Sequence, residues 1–175
     1  FGGGDASRGV LIGARGVGAG LGPLIAARYT GGDLARVLRV CGIASLVFSG
    51  CYLLGAWMPA LALTAILVTV AHLGGGAQWT LSTYGLQLRS PDHVRGRILA
   101  GDFALVTLTL SVTSALAGLV SEALGVREAI SIFALAAAAA SIVYISATQR
   151  LRKQLLHPSD SVPVDRSPSS SPSGS

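Results

Sequence analysis

Two side chains with useful chemistry, Arg15 and His72, stand inside otherwise apolar stretches of this sequence. A charged residue at the centre of a bilayer costs about 2.5–3.5 kcal/mol on insertion scales, so such residues usually face a bundle interior or a cavity. Arg15 could therefore contact an anionic substrate or a carboxylate, or it could snorkel to the interface or pair with a carboxylate elsewhere. His72 could relay a proton, or it could stay neutral and hydrogen-bond between helices.

The stretch around His72, residues 61–88, holds its polar groups at helical spacing. At about 100° per residue one face of this helix carries a polar stripe, formed by Thr69, His72, Gly76, Trp79, Thr80, Thr83 and Gln87. A helix that faced only lipid would not need such a stripe. The stripe therefore predicts one wall of a pathway, or else a set of interhelical hydrogen bonds. Gln78 and Ser82 point about 120° away from the stripe, and we expect them to face a neighbouring helix.

A second apolar stretch, residues 98–124, divides in the same way. Asp102, Thr109 and Thr113 share one face, and the opposite face carries small residues suited to close packing. Asp102 lies about one turn from a basic segment. It could be an ion-pair latch with Arg95 or Arg97, or a proton carrier inside the membrane.

Composition shows which elements must position these groups. The chain is 51% hydrophobic and 12% charged, whereas soluble domains carry about 25% charged residues. Because about 20 apolar residues suffice to cross a bilayer, we predict an all-α, polytopic transmembrane helix bundle with about five spans. The predicted spans are 9–27, 40–58, 61–88, 98–124 and 129–148.

Glycines recur at helix-face spacing in the first predicted span. Gly9, Gly13, Gly16 and Gly20 would let another helix backbone approach closely. We therefore expect this face to pack against a neighbour.

Charge predicts the orientation. The loops 28–39 and 89–97 and the segment after residue 149 are rich in Arg and Lys, so the positive-inside rule places them and the C-terminus in the cytoplasm. Residues 1–8 are then expected to be a truncated lead-in on the extracellular side. Residues 154–175 are Ser/Pro-rich and are predicted to be a disordered cytoplasmic tail.

Several function classes are disfavoured. The net charge of +5 could indicate nucleic acid, but the basic residues form short clusters between apolar runs, as membrane orientation requires. The sequence has no catalytic motif and no metal-spaced His/Cys set. We therefore expect no enzyme activity, no metal, no cofactor and no nucleic-acid partner.

Two segments carry a family resemblance: RGVGAGLGPLIAARY, and GGGAQWTLSTYGLQLRSPDHVRGRILAGDFAL. They resemble the C-terminal half of a major facilitator superfamily transporter, in particular drug- and siderophore-exporter-like members. The most specific piece, SPDHVRGRILA, looks like the P-x-x-x-R-G-R loop between the tenth and eleventh helices. The five spans would then be helices eight to twelve of a partial fold of this superfamily. Of the family's loop signature between helices eight and nine, the chain keeps Gly32, Asp33, Arg36 and Arg39.

The resemblance implies alternating access about a site near the bilayer midplane. It implies proton-coupled efflux of a small molecule across a bacterial cytoplasmic membrane, with the lipid bilayer, the substrate, protons and a missing N-terminal half as partners. The fragment alone is expected not to transport. The alternative is a non-transporting scaffold or sensor whose polar stripes serve helix packing. The implied pathway residues are Arg15, His72, Trp79, Thr83, Gln87, Thr109 and Thr113, and the implied cytoplasmic gate is Arg95, Gly96, Arg97 and Asp102.

Overall fold

The computed structural model describes residues 4–31 and 33–156, with side chains through residue 153. Gly32, the first three residues and the tail from 157 lie outside the described residues. The described chain is entirely helical, and all five helices are long and apolar enough to cross a membrane. This confirms the predicted fold class. The helices are α1 (Gly4–Thr30), α2 (Leu34–Gly55), α3 (Leu61–Arg89), α4 (Arg95–Leu124) and α5 (Val126–Leu156).

The helices at the basic end of the bundle, where α1 and α3 finish and α2 and α4 begin, reach further than predicted. The expected loop 28–39 is wrong in extent, because α2 already begins at Leu34. Asp33 caps this helix: its carboxylate accepts hydrogen bonds from the backbone N–H of Ala35 at 2.8 Å and of Arg36 at 3.4 Å. Such a cap satisfies amides that would otherwise lack partners. Likewise, α4 begins at Arg95, inside the expected loop 89–97.

At the opposite end the connections are also short. Gly125 alone separates α4 from α5, and its φ of +103° is a conformation that glycine adopts readily. Helix α2 ends at Gly55, before the predicted limit of residue 58. The Trp57 indole Nε1–H then donates a hydrogen bond to Ser131 Oγ at 3.0 Å, which ties the α2–α3 turn to the start of α5.

Helix α3 is central to the packing, since it lies against both α1 and α2 along most of their lengths. Helix α5 covers α2 on the other side, whereas α4 contacts α5 only lightly and has no buried residue. The small-residue face expected to pack closely on α4 therefore has no close partner among the described residues; a Cβ at Gly118 would meet nothing within 4 Å. The core consists of Ala26, Val37, Cys41, Ala77 and Leu81.

The backbones of α1 and α3 approach each other closely. A Cβ added at Gly22 would clash with the carbonyl oxygen of Leu73 and lie 3.0 Å from the Ala77 nitrogen. A Cβ at Gly18 would meet α3 in the same way, and one at Gly76 of α3 would lie 2.5 Å from the Ala19 oxygen. Reciprocal glycines thus let the two backbones touch, as small residues do in membrane bundles.

These are not the glycines that the sequence predicted. A Cβ at any of Gly9, Gly13, Gly16 or Gly20 would meet nothing within 4 Å. They lie about 140–180° around the helix from Gly18, on the side turned away from α3. The expected close approach on that face is therefore wrong for the described residues.

Candidate functional site

His72 lies at the junction of α3 with α1 and α2 and is 8% exposed. Its ring meets Phe48 and Tyr52 of α2 edge-on, with centroid distances of 5.4 Å and 5.8 Å. Its Nδ1 lies 3.0 Å from the carbonyl oxygen of Val68. With the proton on Nδ1, the ring donates to that carbonyl, and Nε2 remains as the position that can accept a proton.

We group Arg15 with His72 and Tyr52 as a polar cluster, because both lie within the range of its charge; its side chain is exposed in the described chain. Helical spacing puts Arg15 on the same face of α1 as Gly18 and Gly22, which face α3. Within residues 4–31 and 33–156, Arg15 pairs with no carboxylate. An exposed guanidinium without an acidic partner is suited to an anionic group or to a carboxylate from outside the described residues.

A cavity of about 660 Å³ lies between α2, α4 and α5, beside this cluster. Phe48 and Tyr52, whose rings contact His72, form part of its mostly apolar wall. Thr113 lies on the facing wall, half-buried, and its hydroxyl donates to the carbonyl of Thr109 at 2.7 Å. Thr109 itself is exposed and bonds to the Leu105 carbonyl at 2.8 Å. The structure therefore brings Thr113 near the cluster but leaves Thr109 outside it.

The α3 stripe leaves the α1–α3 interface after Gly76. Ala26 of α1 joins the core cluster with Ala77 and Leu81, so α1 follows that side of α3. Trp79 is consequently 55% exposed, and Gln87 is also exposed. Thr83 is half-buried, and its hydroxyl donates a hydrogen bond to the Trp79 carbonyl at 3.0 Å.

The predicted gate residues lie at the start of α4 and are all exposed. Arg95 pairs with Asp92 at 2.5 Å and donates to the Ser90 carbonyl at 3.3 Å. Asp102 forms no ion pair with Arg95 or Arg97 among the described residues, so the suggested latch is not formed. All three residues belong to α4, where Asp102 is seven residues beyond Arg95 and five beyond Arg97. Side chains on one helix pair at spacings of three or four residues, so neither arginine is in register with Asp102.

Sequence reasoning missed the contribution of α2. None of the predicted pathway or gate residues belongs to α2, yet Phe48 and Tyr52 of this helix contact His72. Their spacing of four residues, which places two aromatic rings on one face, was the available signal. The expectation that Gln78 and Ser82 face a neighbouring helix is confirmed for Gln78, since Ser45 Oγ donates to its Oε1 at 2.7 Å. Ser82 is exposed, and its hydroxyl donates to the Trp79 carbonyl of its own helix at 3.0 Å.

No three His, Cys, Asp or Glu side chains within residues 4–31 and 33–156 are arranged so that they could hold a metal ion.

A family model described as "transmembrane secretion effector", one of the major facilitator superfamily models, matches residues 1–169. No curated protein and no solved structure gives a significant match. The match agrees with five helices able to span a membrane and supports a transporter-like, non-enzymatic role. The chain belongs to the transmembrane secretion effector family of the major facilitator superfamily, and it is a multi-pass membrane protein.

Proposed function

We propose that this chain is the C-terminal portion, helices eight to twelve, of a secondary transporter that exports a small molecule in exchange for protons. The observation that carries the proposal is His72, which is buried at the junction of three spanning helices with Tyr52 against its ring. Polar and ionisable groups inside a membrane are costly and commonly mark substrate or ion pathways.

The cluster supplies the two functions that such coupling needs. His72 can take up and release a proton at Nε2, and Arg15 can hold an anionic group of the substrate or of a partner helix. Both belong to helices whose backbones touch through glycines. Such a tight pair can move as one unit when the two halves of the protein rock about a central site.

The remaining predicted residues would act where the missing half meets this one. Trp79, Thr83, Gln87 and Thr109 lie on helix faces that the described helices leave uncovered or only partly covered. Helix α4 has no buried residue, as expected of a helix whose main neighbours belong to another part of the protein. Arg95, Gly96, Arg97 and Asp102 would gate the pathway at the basic end.

The proposed location is a bacterial cytoplasmic membrane, with the basic end and the C-terminus in the cytoplasm. Support comes from the alternation of the helices, which gathers the basic residues of three separate segments at one end. That distribution follows the positive-inside rule.

A scaffold or sensor is the second candidate, and the Ser45–Gln78 hydrogen bond between α2 and α3 favours it. The predicted stripes behave differently. The hydroxyls of Thr83, Thr109 and Thr113 bond to carbonyls of their own helices and join no helices in the described chain. Polar residues whose only role was to hold helices together would be expected to form hydrogen bonds between helices.

A proteoliposome assay of the full protein tests the proposal. We expect an imposed pH gradient to drive substrate movement, and His72→Phe and Arg15→Gln to abolish coupling while leaving the unfolding temperature nearly unchanged. His72→Phe keeps a ring against Phe48 and Tyr52 and so isolates the loss of the titrating nitrogen. Gradient-driven movement that persists in both variants would refute the assigned roles, and no movement in the unaltered protein would refute transport.

A further inference from the structure

We propose that the basic end of the bundle carries a binding site for the headgroup of an anionic phospholipid, between α2 and α5. A cavity of about 610 Å³ opens there, away from the cluster around His72. Its lining includes four cationic side chains, Arg36, Arg39, Arg152 and Lys153. The site does not depend on the transport proposed above.

Packing, rather than local sequence, brings these cations together. Arg36 and Arg39 lie in the first two turns of α2, while Arg152 and Lys153 lie near the end of α5. The packing of α5 along α2 sets the two pairs on opposite walls of one cavity. Arg152 is also held in place: its Nη2 donates to the Ile145 carbonyl at 3.1 Å and its Nε to the Thr148 carbonyl at 3.4 Å.

The charge at this cavity is poorly neutralised. Asp33 is the nearby carboxylate, and it already caps α2 and pairs with the Arg36 Nε at 3.4 Å. In the part of the chain that the structure describes, Arg39, Arg152 and Lys153 form no ion pair. Three cations that converge without an acid favour a ligand of negative charge, and phosphate oxygens are good acceptors for guanidinium groups.

The apolar part of the lining points to a lipid rather than to a soluble anion. Ile43 and Ile145 lie beside the cations in the same cavity, and Ile43 is 48% exposed. Both lie on spanning helices, a few residues further into the span than Arg39 and Arg152. A phospholipid matches this order, with its phosphate at the cations and its acyl chain along the isoleucines. Basic pockets between spanning helices bind such headgroups.

The test is lipid binding to the full protein in detergent, measured by native mass spectrometry with phosphatidylglycerol and, in parallel, phosphatidylcholine. We expect Arg39→Gln/Arg152→Gln/Lys153→Gln to weaken phosphatidylglycerol binding about 100-fold, since each cation near an anionic lipid contributes about fivefold. Phosphatidylcholine binding should not change. The single variant Arg39→Gln should bind phosphatidylglycerol about fivefold more weakly. This variant replaces the triple variant in the test if the triple variant does not fold.

A matched control removes the same amount of charge from the same end of the bundle. Arg28→Gln/Arg89→Gln/Arg150→Gln alters three exposed arginines that do not line the cavity, so phosphatidylglycerol binding should be nearly unchanged. An equal loss in this control would show diffuse attraction and overturn the site. Undiminished binding in the cavity variants would overturn it as well. Displacement of the lipid by millimolar inorganic phosphate would show a site for soluble anions instead.

Discussion

Gly22→Ala tests whether the backbone contact between α1 and α3 holds the bundle together. The added methyl would clash with the Leu73 carbonyl oxygen and lie 3.0 Å from the Ala77 nitrogen. Both are backbone atoms of α3, so no side-chain rotation relieves the overlap and the two helices must separate. Overpacking of this kind costs about 1–3 kcal/mol.

Gly16→Ala is the matched control, because it makes the same chemical change on the same helix. A Cβ at Gly16 would meet nothing within 4 Å. Both substitutions gain the same helix propensity, about 0.5–1 kcal/mol, and the difference between them therefore isolates the overlap. We expect Gly22→Ala to be less stable than Gly16→Ala by about 2 kcal/mol, or about 30-fold in the folded-to-unfolded ratio.

Reversible unfolding of each variant in mixed micelles, followed by circular dichroism, gives this difference in the free energy of unfolding. Equal stability of the two variants would refute the contact between Gly22 and α3. A larger loss for Gly16→Ala would show that the face predicted from the sequence, Gly9 to Gly20, is the one that packs.

Three further contacts give predictions of their own. Asp33→Ala should lower the free energy of unfolding by about 1 kcal/mol through loss of the α2 cap, with Asp33→Asn close to the unaltered chain; equal losses in both would contradict capping. In a double-mutant cycle of unfolding, we expect Ser45→Ala and Gln78→Leu to show a coupling free energy of about 0.6 kcal/mol, as hydrogen bonds between membrane helices do. If the two losses in the free energy of unfolding were simply additive, the hydrogen bond between Ser45 and Gln78 would be refuted. Trp57→Phe and Ser131→Ala should couple by about 0.5–1.5 kcal/mol in the same assay, whereas independent losses would show that the indole is held by something else.

The helical architecture could be predicted because it follows from composition alone. Long apolar runs between charged turns permit only helices in a bilayer, where every backbone group needs an internal partner. Helix ends were less predictable. The residues around Arg36 and Arg95 are basic and seemed to belong to loops, but Asp33 caps one helix, and Arg95 pairs with Asp92 across the start of the other.

The packing of the site could be predicted only in part. His72 and Gln78 stood out because polar residues in an apolar run are informative one at a time. Which glycines touch another helix depends on the direction from which that helix arrives, and two faces of α1 carried suitable glycines. The role of Tyr52 depends on the approach of α2 to α3, which periodicity within one helix does not contain.

Side-selective thiol labelling tests most directly whether the α3 stripe lines a transport pathway. Trp79 and Ile66 are matched positions on α3, 55% and 60% exposed in the described chain, but only Trp79 belongs to the stripe. In full protein whose Cys41 and Cys51 are replaced by serine, we expect Trp79→Cys to react with a membrane-impermeant thiol reagent and to be protected by substrate. Ile66→Cys, facing lipid, should not react. If Trp79→Cys were as unreactive as Ile66→Cys when the reagent is added on either side of the membrane, the result would contradict a pathway along the α3 stripe.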